Sequence, residues 1–490
     1  MDSAGNTYVT GGSMGSGNGT RYDYATVKYD KNGNQLWAAR YHGPGYGNDT
    51  ANAVAVDAGG DVYVTGQSTG SENNLVDYAT VKYDTNGRQL WVARYNGPGN
   101  KIDHAQALAV DSRGNVYVTG GSRGTDSNDY ATIKYDTNGN QLWVARYSAN
   151  GTALAMALDN VGNVYVTGYG GTNSHDYITI KYDSNGNQFW LASYNGPGNG
   201  DDVAYSLAVD AIGNVYVTGR SMASSTSNYD YATVKYDGDG RQLWVARYDG
   251  PAASTDWPSR VAVDEAGNVY VTGRSRGTDS NDCATIKYDT NGNQLWVARY
   301  ADNSASDLAV DAPGNVYVTG ESGVSDTDRE YATVKYDTNG NQLWASRYHG
   351  PGYGLAEAPR AIVVDRDGNT YVTGASAGSS GISEMTQCPW TDVSVYSDPS
   401  ETIKIKTGDE FAFGFDTAER VGLSWDETHD ETMVSLLDKE YIMPQPYSVS
   451  GKTWFLFKAL KTGSTQVTFT YSHGGAGPVT DRKVFSIDIQ

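Results

Sequence analysis

Only two cysteines occur in 490 residues, so no disulfide framework holds this chain together. Histidine is nearly as rare, with six copies; His42, His104, His175 and His349 do not recur with acids at a metal-ligand spacing. Neither a Gly-x-Ser-x-Gly elbow nor a His-Glu-x-x-His pair is present, so no enzyme is expected. No run approaches the roughly 20 apolar residues needed to cross a bilayer as a helix. No signal peptide is visible either; the chain opens in mid-repeat at Asp2-Ser-Ala-Gly-Asn-Thr-Tyr8, which points to an N-terminally trimmed sequence. Basic residues are outnumbered by acidic ones, 36 to 57, and the net charge of −21 divides into −14 over residues 1–382 and −7 over 383–490. With no basic stripe to displace counterions, nucleic acid is excluded as a partner.

Tyr (38), Gly (59) and Trp (11) are abundant, while Met (7) and Phe (8) are scarce, a balance that favours strands and tight turns. Tyr-Val-Thr-Gly occurs eight times, at Tyr8, Tyr63, Tyr117, Tyr165, Tyr216, Tyr270, Tyr317 and Tyr371, at intervals of 47 to 55 residues. A repeat of that length is one supersecondary unit stacked on copies of itself. Within residues 107–147 four β-rich runs are bounded by turn residues: Ala107–Asp111, Val116–Gly120, Tyr130–Asp136 and Gln141–Tyr147. The Asn-Gly between the last two favours a tight hairpin with positive φ. The runs carry apolar residues on both faces, so each meander must be covered twice, and radial stacking into a β-propeller does this.

The first, third and fourth strand patterns each appear seven times. Seven blades are therefore expected, closed when Ala361–Asp365 joins the N-terminal strands, with the Tyr371 strand displacing the Tyr8 strand because its hairpin is local. Cys283 stands where six other repeats carry Tyr, the place of a small core residue. The segments GNVYVTG, DYATVKYD and NGNQLWVARY resemble the SBBP seven-bladed β-propeller repeats of envelope or secreted proteins. That resemblance implies a secreted or cell-surface location.

Two sets of acids invite a metal reading. The Asp-x-Asn-Gly turns look like shortened calcium loops, but they lack the twelve-residue length and closing Glu of an EF-type site, and Asp capping of backbone N–H groups explains them. Eight residues before each first-strand Asp stand Asp49, Asp103, Asp202, Asp256 and Glu357, with Gly151 and Asn303 in the remaining two copies. These carboxylates either ring the channel mouth as a funnel for calcium or another ligand, or each caps the turn into its strand. No cofactor beyond such an ion is expected. Trp257, outside the repeated Trp column, is a candidate stacking platform for sugar or peptide, or a half-buried packing residue.

After the Gly/Ser-rich segment from Ala375 the composition shifts, and period-two strands suggest an immunoglobulin-like sandwich. The expected division is a propeller over 1–378, a linker over 379–392 and a sandwich over 393–490. LysThrGlyAspGluPheAlaPheGlyPhe, ValGlyLeuSerTrpAsp and the SerGlyLysThrTrpPheLeuPhe run resemble the chagasin-type cysteine-protease inhibitors. The resemblance implies three contact loops. At those places stand Asp416, Thr417, Ala418, Glu419, Arg420, Val421 and Gly422, then Ser450 and Gly451, then His473, Gly474 and Gly475, with no Arg-Pro-Trp element. Trp425 and Trp454 are assigned to the core. The chain reads as a noncatalytic, monomeric binding protein whose sandwich contacts a protein partner; the alternative is an inhibitor of a papain-like protease with the propeller as targeting module.

Overall fold

A computed structural model describes residues 1–14, 21–45, 47–71, 75–223, 228–277, 280–301, 303–325, 328–349, 357–376, 394–396, 402–417, 423–442, 451–473 and 479–490. The described residues hold strands and turns and no helix. They divide into two compact units, Met1–Ala377 and Gly378–Gln490.

The first unit repeats one antiparallel meander. In its 103–147 copy the strands are Asp103–Val110, Val116–Arg123, Asn128–Tyr135 and Gln141–Tyr147, each paired with the next. Register sorts the side chains into two rows: Leu108, Val118, Ile133 and Val144 lie in line, and Ala109, Tyr117, Lys134 and Trp143 form the neighbouring row. Adjacent rows point to opposite faces of a pleated sheet. The aromatic face of each sheet therefore meets the aliphatic face of the next: Tyr117 and Tyr130 pack with Val164, Val166, Ile178 and Ile180 of the following copy. Val118, Ile133, Val164 and Val166 are completely buried, a burial that stabilises by about 1.5–3 kcal/mol per side chain.

Polar tips of the aromatics complete the join. Tyr130 Oη donates to Ile178 O at 3.4 Å and Trp143 Nε1 to Ser184 O at 3.2 Å, both in the next sheet. The turn between third and fourth strands is a type I turn followed by a glycine, Gly139, at φ 83°, rather than a two-residue hairpin. Asp136 Oδ1 accepts the N–H groups of Asn138 and Asn140, and Oδ2 the Asn140 side-chain amide. Capping thus engages both oxygens.

The ends of the array depart from expectation. The Tyr8 strand, Thr7–Met14, pairs along its whole length with Tyr22–Tyr29, and Gln35–Tyr41 completes a three-stranded sheet. Ala358–Val364 and Thr370–Ala375 form a separate two-stranded sheet. Between them lie six four-stranded sheets, at 50–95, 103–147, 152–194, 203–248, 257–300 and 303–348. Among the described residues the two termini pair in separate sheets rather than in the expected shared blade, the equally local Tyr8 hairpin occupying the edge that Tyr371 was to take. The termini nevertheless meet, since Tyr371 Oη donates to Lys31 O at 3.3 Å across 340 residues. Cys283 is buried as expected, at 1% exposure, and burial pushes its thiol up to about 11.

In the second unit two four-stranded sheets enclose a phenylalanine core. One orders Ser394–Tyr396, Glu410–Thr417, Gly451–Ala459 and Val434–Ile442; the other orders Thr402–Ile405, Val479–Ile489, Gly463–His473 and Leu423–Thr428. Phe413 lies 4.5 Å from Phe485 and Phe415 4.5 Å from Phe469, ring centre to ring centre, and Trp425 joins this core. The strand Val434–Ile442 has no clean period-two alternation in sequence, because a bulge between Leu436 and Asp438 breaks it.

The last residue of Tyr-Val-Thr-Gly is a contact point. A methyl group at Gly120 would overlap the His104 carbonyl oxygen and approach Tyr78 Oη to 2.9 Å. Gly120→Ala is expected to destabilise the propeller by about 1–3 kcal/mol, read as a lower thermal midpoint; an unchanged midpoint would show that the strand bearing His104 can give way at no cost.

Candidate functional site

The five recurrent acids do not form an open rim. Asp49, Asp103, Asp202, Asp256 and Glu357 all have 0% exposure. Asp103 Oδ2 accepts the Gly97 N–H at 2.7 Å, and Oδ1 accepts the Arg123 N–H at 3.1 Å. Asp49 holds Gly43 and Thr69, Asp202 holds Gly196 and Met222, and Asp256 holds Gly250 and Arg276 in the same way. Each aspartate clamps the Gly-Pro loop that crosses between sheets onto the end of a second strand. The four aspartates are placed as in the capping alternative: the loop's buried N–H groups require acceptors, and the carboxylates turn inward to them. Glu357 is equally buried, and its oxygens find no hydrogen-bond partner among the described residues.

A polar network backs each clamp. Arg146 donates to Tyr95 Oη at 2.6 Å, Ser122 Oγ at 2.7 Å and Asp129 Oδ2 at 2.7 Å. Arg94, Arg247 and Arg299 repeat the arrangement with Ser68, Ser221 and Ser275. The 152–194 sheet loses the set together, having Gly151, Gly170 and Ser193 in place of the acid, the serine and the arginine. Its remaining Asp176 has a buried, unpartnered Oδ1, and burial, with Asp202 nearby, pushes its carboxyl up. Two groups, Asp23/His42/Asp49 and Asp230/Asp249/Asp256, bring ligand atoms within 4.8 Å of one another. Asp49 and Asp256 are already engaged by backbone N–H groups, and Asp230 by Arg247 at 2.9 Å.

Trp257 stands elsewhere, at the start of Trp257–Val263, with 44% of its surface exposed. The Arg220 guanidinium packs 4.8 Å from its ring and 4.7 Å from that of Tyr229. Arg274 is its cross-strand partner, and with Ser254, Thr255, Arg276 and Asn281 it lines a cleft of about 440 Å³ beside the indole. Sequence reasoning singled out Trp257 but missed the arginines. Their signal was available: the residue after Tyr-Val-Thr-Gly is Gly12, Gln67 or Gly121 early in the array and Arg220 or Arg274 here.

In the second unit, Ala418, Glu419, Arg420, Val421, Gly422, Ser450, Gly474 and Gly475 lie outside the described residues. The strand ends flanking them are described. Thr417 pairs with Gly451 and Ile442 with Lys452, while Leu423 pairs with His473 and Ser472 with Val479. The segments 418–422, 443–450 and 474–478 therefore leave the sandwich at one common end, with Asp416 and Thr417 closing one of the strands that reach it.

Residues 404–489 match the family model of chagasin family peptidase inhibitors, I42, and residues 90–126 and 243–279 match the SBBP β-propeller repeat. The chain thus carries SBBP repeats and a C-terminal chagasin-type domain. Among solved structures, the cysteine protease inhibitor EhICP2 of Entamoeba histolytica is 17% identical over 20% of this chain and 95% of its own, with a TM-score of 0.18. The β-propeller domain of the Trilobed protease of Pyrococcus furiosus is 9% identical over 64% of this chain and 86% of its own, with a TM-score of 0.41. An uncharacterized WD repeat-containing protein, L264, of Acanthamoeba polyphaga mimivirus is 25% identical over 30% of this chain; the match spans 14% of the viral protein.

Asp103 and Asp136 titrate in opposite senses. Burial pushes the Asp103 carboxyl above its ordinary value despite the hydrogen bonds from Gly97, Ser122 and Arg123. A raised carboxyl binds a proton on folding, so its contribution is greatest at low pH and falls as pH rises through the raised value. Asp136 is held low, first by the Asn140 side-chain amide, and its contribution is present above about pH 4 and lost below it. In thermal melts across pH, the deficit of Asp103→Asn is expected to narrow from about pH 3 toward about pH 7, and that of Asp136→Asn to widen. Parallel profiles would contradict the assignment.

Proposed function

We propose that this protein, with β-propeller repeats in one unit and a chagasin-type domain in the other, is a noncatalytic binding protein whose sandwich engages a papain-like cysteine protease. The observation that carries the reading is the common exit of 418–422, 443–450 and 474–478 at one end of a rigid, phenylalanine-filled sandwich. Segments anchored so close together lose little further freedom on binding, which leaves more of their contact energy as affinity. Segment 418–422 links Thr417 of one sheet to Leu423 of the other. Its sequence carries Glu419 and Arg420, charges that would select among proteases. The propeller, in this reading, is a stiff scaffold that presents the sandwich.

Full-length protein is expected to inhibit at least one papain-like protease in a peptide-hydrolysis assay. Replacing 418–422 with a Gly/Ser segment should weaken that inhibition by about tenfold or more, on the order of 1.4 kcal/mol, with the propeller's thermal midpoint unchanged. Absence of inhibition and of physical association across a panel of such proteases would overturn the proposal.

A further inference from the structure

A second site lies in the propeller, and it is independent of the reading given for the sandwich. The cleft beside Trp257 sets cations against an indole. Arg274 and Arg276 line it, Arg220 packs on the Trp257 ring beside it, and among the described residues no carboxylate pairs with any of the three. The fourth-strand arginines, by contrast, are held by aspartates, as Arg146 is by Asp129 at 2.7 Å and Arg247 by Asp230 at 2.9 Å. Arg220 Nε is buried without a hydrogen-bond acceptor. Three cations free of acidic partners, in a protein with a net charge of −21, mark a local field for an anion.

The lining identifies the kind of anion. The indole of Trp257 is the one apolar surface, and Arg220 packs against its ring, which fixes it in place as a flat platform. Around it are the hydroxyls of Ser254 and Thr255 and the amide of Asn281, and among the described residues no aliphatic side chain lines it. A peptide would call for apolar side-chain pockets, and a long polyanion would be repelled by the remainder of the surface. A pyranose ring suits the site, because its C–H face stacks on an aromatic ring while its rim of hydroxyls hydrogen-bonds to small polar groups. A carboxylate on that ring would meet guanidinium donors on Arg274 and Arg276, the pairing that gives the strongest charge-assisted hydrogen bonds.

We propose that the Trp257 cleft binds a short uronate-containing saccharide, with the sugar ring on the indole and its carboxylate on Arg274 and Arg276. About 440 Å³ is room for one or two such units.

Calorimetric titration of the full chain with trigalacturonate tests this. Saturable binding is expected, at least about tenfold tighter than for the neutral galactose trimer and weakened by added salt. Trp257→Ala should reduce affinity by about tenfold or more, and Arg274→Gln by about fivefold or more, in variants whose thermal midpoints match the parent. Three results would each overturn the proposal: no saturable binding, binding unchanged in both folded variants, or tighter binding of adenosine monophosphate or an acidic peptide than of the acidic saccharide. Protease inhibition should be unaffected by Trp257→Ala, so failure of either site is read separately.

Discussion

Every sheet of the first unit is apolar on both faces, and this two-sidedness governs the rest of the molecule. A meander with Tyr117 on one face and Val118 on the other cannot leave either in water. The neighbours that cover them are copies of the same meander, so the solution repeats until the ends of the array meet. Specificity of the join comes from its polar tips. A Tyr hydroxyl reaches a backbone carbonyl of the next sheet and a Trp N–H reaches the next turn, and each bond is made at one relative position of the two sheets. Apolar burial supplies the drive, and the hydrogen bonds select the register.

The buried aspartates answer a problem that this stacking creates. Chain passing from one sheet's outer strand to the next sheet's inner strand carries backbone N–H groups into a crowded, dry region. Asp103 and its counterparts satisfy two of these each, and the arginine behind them draws the same serine into a continuous polar network. Before Gly151 the loop is short and the acid, the serine and the arginine are all missing, whereas the 303–348 sheet has Asn303 in place of the acid and keeps Ser322 and Arg347. The structural duty of these acids therefore rests on their burial and on the backbone N–H groups they accept, not on how the positions vary. Asp176, left behind without its arginine, shows the consequence of removing part of such a network.

Much of the architecture was legible because local pattern and fold coincide. Strand positions, the meander order and the Trp column follow from alternating residues between glycine-rich turns. The buried role of Trp425 followed in the same way. Other features resisted for identifiable reasons. Val434–Ile442 hid behind a bulge. The pairing at the termini turned on a competition between two near-identical hairpins, which a sequence cannot weigh. The spacing of Asp49, Asp103, Asp202 and Asp256 was visible, but spacing alone does not say whether a carboxylate faces solvent or a loop's own N–H groups.

By itself the sequence determined the repeating unit, its strands and turns, the second domain and its kinship, because each of these depends on residues within about 50 positions of one another. Tertiary structure alone decided which way the acids turn, which terminal strand pairs with Tyr22–Tyr29, and that Arg220 of one sheet lies against Trp257 of the next. Those outcomes depend on contacts between different copies of the repeat. The copies are alike in sequence, so only their placement in space tells one neighbour from another.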